Sequence, residues 1–187
     1  AIAHAAEGLY AANGNPVTRL MAQEGIRALA AGLPAIHADP ADIEARGSAL
    51  YGAWLCGTVL AHGGMALHHK LCHTLCHTLG GSFNLPHAPT HTVVLPYVLA
   101  FNAPCAEEAM RRMAEALNSK GSAAAGVWDL AHRNGAPTSL RQLGMTQADL
   151  DRAAEIATGR PYWNPRPVDH VAVRAVLQAA FDGVRPD

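Results

Sequence analysis

The stretch HHKLCHTLCHTLGGSFNLPH, residues 68–87, carries the tetrapeptide LCHT twice in succession. It sets imidazoles at His69, His73 and His77, follows them with Gly80-Gly81, and supplies another at His87 after a proline. Residues four apart share one face of a helix, so these three histidines should line up, each about 6 Å further along the axis. Leu79-Gly80-Gly81 is expected to end that helix, and Ser82-Phe83-Asn84-Leu85-Pro86 returns the chain to present His87. Two helical imidazoles and one delivered by a returning loop can converge on a divalent cation, because neutral imidazole is the commonest nitrogen donor to Zn or Fe. The plainer alternative is a row of hydrogen-bonded or solvated helix histidines. No Glu follows the first His, so the HExxH zinc-protease pattern is absent. The spacing C-x-x-x-C-H also departs from the C-x-x-C-H of c-type haem attachment.

The rest of the chain sets bounds around that stretch. Of 187 residues, half are apolar and 16% are charged, which excludes a disordered chain. Length alone favours one domain. A formal charge of -1 gives no electrostatic case for nucleic acid or an anionic membrane. No apolar run is long enough to span a bilayer and no signal peptide opens the chain. Four cysteines (Cys56, Cys72, Cys76, Cys105) are too few and too irregular for a disulfide framework, so a reducing cytoplasm is expected. Seven of the eleven histidines (His62, His68, His69, His73, His77, His87, His91) fall within residues 62–91, a concentration that unbiased use would not produce.

Helix punctuation recurs along the chain. Asn15-Pro16 reads as an N-cap with Pro at the first helical position, leading into Val17, Leu20, Met21 and Ala28 on one face, with Gly32 and Pro34 as the stop. Asp39-Pro40-Ala41-Asp42 starts a second helix carrying Ile43, Leu50 and Trp54, whose Gly47, Gly52 and Gly57 suggest close helix–helix approach. Thr146-Gln147-Ala148-Asp149 resembles a capping box opening a helix through Ile156. Tyr162-Trp163-Asn164-Pro165-Arg166-Pro167 reads as an extended connector, and Val173, Val176, Leu177 and Ala180 give a last helix at 3.6 spacing. No convincing alternating strand is found. The expected class is all-α, a helical bundle.

The block 68–102, read with one copy of LCHT, resembles the C-terminal domain of the iron-containing (group III) alcohol dehydrogenases, most of all their maleylacetate reductase branch. AIAHAAEGLYA at the start, ARGSALYGAWLCGTVLA at 45–61, LGMTQADLDRAAE and PYWNPRP extend the likeness over essentially the whole chain. The resemblance implies that residues 1–187 are the helical catalytic domain of a dehydroquinate synthase-like fold. A nucleotide-binding α/β domain, absent from this chain, would hold NADH or NADPH. It implies reduction of maleylacetate, a dicarboxylate keto acid, to 3-oxoadipate in aromatic-ring degradation. The alternatives are an Fe- or Zn-dependent alcohol dehydrogenase and a non-catalytic helical module. A homodimer, or pairing with a separate N-terminal polypeptide, is expected.

Metal-dependent members use one Asp and three His. His4 matches the first of these histidines; the carboxylate position precedes Ala1 and is typically Asn in this branch. The LCHT duplication creates two registers. Counted back from Gly80 and His87, His73 takes the metal position and His77 the second histidine. Counted forward from Lys70, these become His69 and His73. One added turn, roughly 400°, rotates the face by only ~40°, and the backward register is expected. The site is therefore anticipated as His4, His73 and His87 for metal, with His69 in the other register, and His73, His77 and His91 for catalysis. His91 fits the branch and could face substrate carboxylates, or merely cap a helix. Lys70 is expected on another face, and Tyr97 stands where a histidine is more usual.

Overall fold

The computed structural model describes residues 1–76, 82–160 and 162–187. Among them are nine α-helices and two short 3-10 turns. The helices are α1 (Ile2–Tyr10), α2 (Pro16–Ala38), α3 (Ile43–His62), α4 (Leu67–Leu75), α5 (His87–Asn102), α6 (Glu107–Ala116), α7 (Ala123–Arg133), α8 (Asp149–Thr158) and α9 (His170–Asp182). No strand occurs among the described residues, where Cys76 and Leu85 form an isolated parallel bridge. The all-α expectation holds. None of the described helices is long and apolar enough to cross a membrane.

Helix starts follow local chemistry. Asn15 accepts from the Val17 and Thr18 amides while Thr18 Oγ1 accepts from the Asn15 amide, a reciprocal cap with Pro16 at the first position. Asp42 and Asp169 cap α3 and α9 by accepting the Ala45 and Ala172 amides. Asp149 reaches back to the Thr146 amide and hydroxyl, half of the anticipated box. Gly32 and Pro34 do not stop α2, which continues to Ala38 with Pro34 inside it. A Cβ on Gly32 would stand 3.1 Å from both the Ala45 carbonyl oxygen and the Ala49 amide nitrogen of α3, so this glycine permits a close helix–helix approach rather than a stop.

The buried faces of α2 and α3 are not the ones that side-chain size suggests. Ile43 and Trp54 are 78% and 63% exposed, and Leu50, Val17 and Leu20 also face outward. The contact is made by small residues: a Cβ on Gly52 would stand 2.9 Å from both the Gly25 carbonyl oxygen and Leu29 Cγ. Backbones this close gain dispersion over a long, flush contact that larger side chains would prevent. Gly52 thus has the role expected of it, whereas Gly47 and Gly57 face open space.

α5 joins two apolar clusters. Its Leu95 and Leu99 pack with α1, α2, α6 and α7, while Val93, Val94, Tyr97 and Val98 pack with α4, α8 and α9. A helix apolar all round is read from sequence as a central one, and α5 is buried from Val93 to Leu99.

α4 is anchored differently. Glu7 of α1 is 1% exposed, and its two carboxylate oxygens accept the backbone N–H groups of Ala66 and His68 at 2.9 and 2.8 Å. These are first-turn amides with no partner inside the helix, so one carboxylate both caps α4 and meets the positive end of its dipole. Asn164, in the extended connector, accepts from the Leu67 amide and exchanges side-chain amide bonds with Asn102 at the end of α5. α4 ends at Leu75, short of the expected Leu79-Gly80-Gly81 stop; Cys76 is already extended. The Ser82 and Leu85 amides donate to the Thr74 and Leu75 carbonyls at 2.9 and 3.1 Å, satisfying the helix's last turn from the returning strand of chain. His77 and the glycine pair lie outside the described residues.

Two stability outcomes follow. Gly52→Ala should destabilise by about 1–3 kcal/mol through overpacking, whereas Gly47→Ala should gain up to about 1 kcal/mol of helix propensity; urea denaturation compares them. Glu7→Ala should cost about 3–5 kcal/mol, as expected for an uncompensated buried polar set, with Glu7→Gln losing less because one amide oxygen still accepts.

Candidate functional site

Glu7 also fixes the first imidazole. His69 Nδ1 donates to Glu7 Oε2 at 2.6 Å, and both side chains are buried, at 3% and 1% exposure. That bond commits the proton to Nδ1 and leaves His69 Nε2 as a buried nitrogen without a protein partner. A carboxylate behind an imidazole, with the far nitrogen free, is the arrangement that orients metal-binding histidines and raises their basicity.

His4, one turn before Glu7 on α1, stacks on His69 with centroids 4.9 Å apart and planes 16° from parallel. His73 is the next residue on the same α4 face, its ring 6.1 Å from that of His69, matching the spacing expected of a helix. From the opposite side, the first turn of α5 presents His87 and His91, their rings 4.4 Å apart. His91 is the hub: it lies 5.2 Å from His69, 6.4 Å from His73 and 4.9 Å from His68. His73 also lies 6.3 Å from His87. His68 Nε2 and His91 Nδ1 share a hydrogen bond of 3.0 Å, and His91 Nε2 is the second buried imidazole nitrogen without a partner.

The structure therefore gathers His4, His69, His73, His87 and His91 from three helices. His69, rather than His73, is the α4 imidazole stacked on His4. Lys70 sits on another face, as expected, with its ammonium 5.6 Å above the Tyr162 ring. Tyr97 is buried in the cluster with α8 and α9 and donates to the Thr138 carbonyl, away from the histidines. The sequence reading missed Glu7 and Asn164. Glu7 was findable as the lone charge of AIAHAAEGLY, three residues after His4 and so on its face; Asn164 gave no signal beyond its place before a proline.

Burial disfavours the charged form of four of the rings. It pushes His4 down to about 4 and His91 down to about 3, with the neighbouring His69 adding to both effects. Burial lowers His68 and, less strongly, His73 as well. At neutral pH these rings hold free lone pairs rather than extra protons, the state that binds a cation. Beside them opens a cleft of about 390 Å³, with His4, His87 and His91 at one end and an apolar wall that includes Leu29, Leu33, Val127 and Leu130. Among the described residues that line it there is no Arg or Lys, and Asn134 is a further polar group. Its size and apolar wall suit a small flat ligand brought up to the imidazoles.

Comparison with known proteins bears on the fold and the family. The chain is similar to the maleylacetate reductase of Burkholderia cepacia, 57% identical over all of this chain and 51% of that protein. The crystal structure of maleylacetate reductase from Rhizobium sp. strain MTP-10005 superposes with a TM-score of 0.93 at 52% identity, covering 99% of this chain and 51% of that one. An iron-containing alcohol dehydrogenase from Corynebacterium glutamicum gives a TM-score of 0.88 at 45% identity, over 97% and 50% of the two chains. The chain thus spans about half the length of the curated relatives it matches. The model of the Fe-containing alcohol dehydrogenase family, C-terminal, matches residues 1–181. This chain belongs to the Fe-containing alcohol dehydrogenase family, and its helices match the C-terminal part of that family.

Proposed function

We propose that these helices form the catalytic half of an NAD(P)H-dependent reductase that converts maleylacetate to 3-oxoadipate. The observation that carries this reading is the five-histidine cluster at the mouth of an apolar cleft, in a chain about half identical, end to end, to maleylacetate reductases. NADH or NADPH is bound by the half of the relatives' length that these 187 residues do not contain. Hydride passes from the nicotinamide to the double bond conjugated with the substrate's keto group, the nicotinamide is oxidised, and a solvent proton relayed through a neutral imidazole, which gives up one N–H proton as its other nitrogen takes up another, completes the reduced product. His73 and His91 are the residues proposed for that relay; His77, also proposed for it, lies outside the described residues. His87, His91 and Asn134 offer N–H groups to the substrate's carboxylates.

A buried imidazole nitrogen without a partner, backed by a carboxylate, suits the divalent metal that the family's description implies. His4, His69 and His87 would hold it, the orphaned Nε2 of His69 with its Glu7 support being the observation behind that choice. Such an ion, Fe or Zn, would polarise the substrate's carbonyl oxygen. His73, the other candidate for the helical ligand, stands one turn further along α4 and is left free for proton transfer. A working place in the cytoplasm is supported by four free thiols, Cys56, Cys72, Cys76 and Cys105. The outward Ile43, Leu50 and Trp54 of α3 form an apolar face that supports a homodimer.

The full-length protein should consume NADH with maleylacetate, read as loss of nicotinamide absorbance, and His69→Ala or His87→Ala should lower kcat/KM by about 100-fold or more. Turnover of simple alcohols with none of maleylacetate would overturn the proposal. The 187-residue chain alone should show no micromolar NADH binding when titrated by nicotinamide fluorescence; a micromolar complex would place the nucleotide on these helices instead.

A further inference from the structure

A second constellation lies behind the first and shares none of His4, His69 or His87. His68 and Cys72 are four apart on α4 and so project together, while His91 meets them from α5. His68 Nε2 stands 3.6 Å from Cys72 Sγ and 3.0 Å from His91 Nδ1, and one ligand atom from each of the three residues lies within 4.8 Å of the others. His68 and Cys72 are fully buried.

We propose that His68, Cys72 and His91 form a binding site for a thiophilic d10 cation, with Zn2+ as the representative ion. Zn–N bonds of about 2.0–2.1 Å and a Zn–S bond of about 2.3 Å at tetrahedral angles place ligand atoms roughly 3.3–3.6 Å apart. The separation of Cys72 Sγ from His68 Nε2 already has that value, the two imidazole nitrogens need to part by only a few tenths of an ångström, and Cys72 and His91, whose ligand atoms lie within 4.8 Å, close toward it on binding. One thiolate and two imidazoles are a soft donor set, unlike the all-nitrogen set of His4, His69 and His87, so this trio selects Zn2+ or Cu+ over harder cations.

Loading releases a single proton, that of the Cys72 thiol, to solvent. The hydrogen shared between His68 and His91 moves to the other nitrogen of whichever ring carried it, freeing both facing lone pairs. On His91 that other nitrogen is the buried, unpartnered Nε2. The thiolate and Glu7, whose carboxylate accepts the His68 amide, offset the charge of a divalent ion. Because His91 is the hub of the cluster, an ion held here withdraws it from proton delivery and from substrate. The site is inhibitory, and its existence does not depend on which substrate the enzyme reduces.

Co2+ added to the metal-stripped full-length protein tests this, because a sulfur-to-cobalt charge-transfer band reports a thiolate ligand and is silent for the all-histidine set. The band should appear in the native protein, persist in the His4→Ala/His87→Ala double variant, and vanish in Cys72→Ser. A native protein that binds Co2+ without the band, or a band that survives Cys72→Ser, overturns the proposal. The first of these outcomes leaves the reductase reading intact. If circular dichroism shows Cys72→Ser unfolded, His91→Asn keeps the thiol and should weaken Co2+ binding in the band at least about tenfold; an unchanged affinity overturns it equally.

Discussion

One buried carboxylate organises the molecule around its histidines. Glu7 has lost nearly all contact with water, which for an isolated carboxylate is costly by several kcal/mol. It is held in place because its oxygens receive two backbone amides of α4 and the Nδ1 proton of His69. Charge-assisted bonds of this kind are about twice as strong as neutral ones, and here they act at once on packing and on chemistry. The same contact that docks α1 against α4 settles the tautomer and orientation of His69, and through the shared helix of Glu7 and His4 it stacks those two rings.

The second constraint is the central position of α5. Because it is apolar around its circumference, it is gripped by both clusters of the core, and its first turn is carried rigidly to the open end of the bundle. His87 and His91 therefore arrive at a defined distance from α4, where the hydrogen bond to His68 Nε2 fixes His91 further. Precise placement of reacting groups on helices held by packing is what a proton-transfer or metal site requires. The neutrality of His91 follows from the same burial, since the core that positions it also disfavours its charged form.

The first copy of LCHT lies within α4, anchored at the helix's N-terminal end. α4 keeps its origin at Glu7 and Asn164, so the residues counted from that end, His68, His69, Cys72 and His73, retain their places. Leu75 closes the helix, and Ser82 and Leu85 pair with its last turn.

What the amino-acid order determined by itself is local. Caps at Asn15, Asp42 and Asp169 begin their helices because a side chain and the amides it binds are two or three residues apart. The final helix buries Val173, Val176, Leu177 and Ala180 as its period indicated, and the family likeness of the histidine block was legible in its motif. Tertiary structure alone decided which face of α2 and α3 is inside, because glycine–glycine approach is a property of two backbones meeting and leaves the larger side chains outward. It alone joined Glu7 to His69, 62 residues away, and made His91 the centre of the cluster. Periodicity records which residues share a face; which face meets which, and which carboxylate stands behind which ring, is set by the packing of the whole bundle.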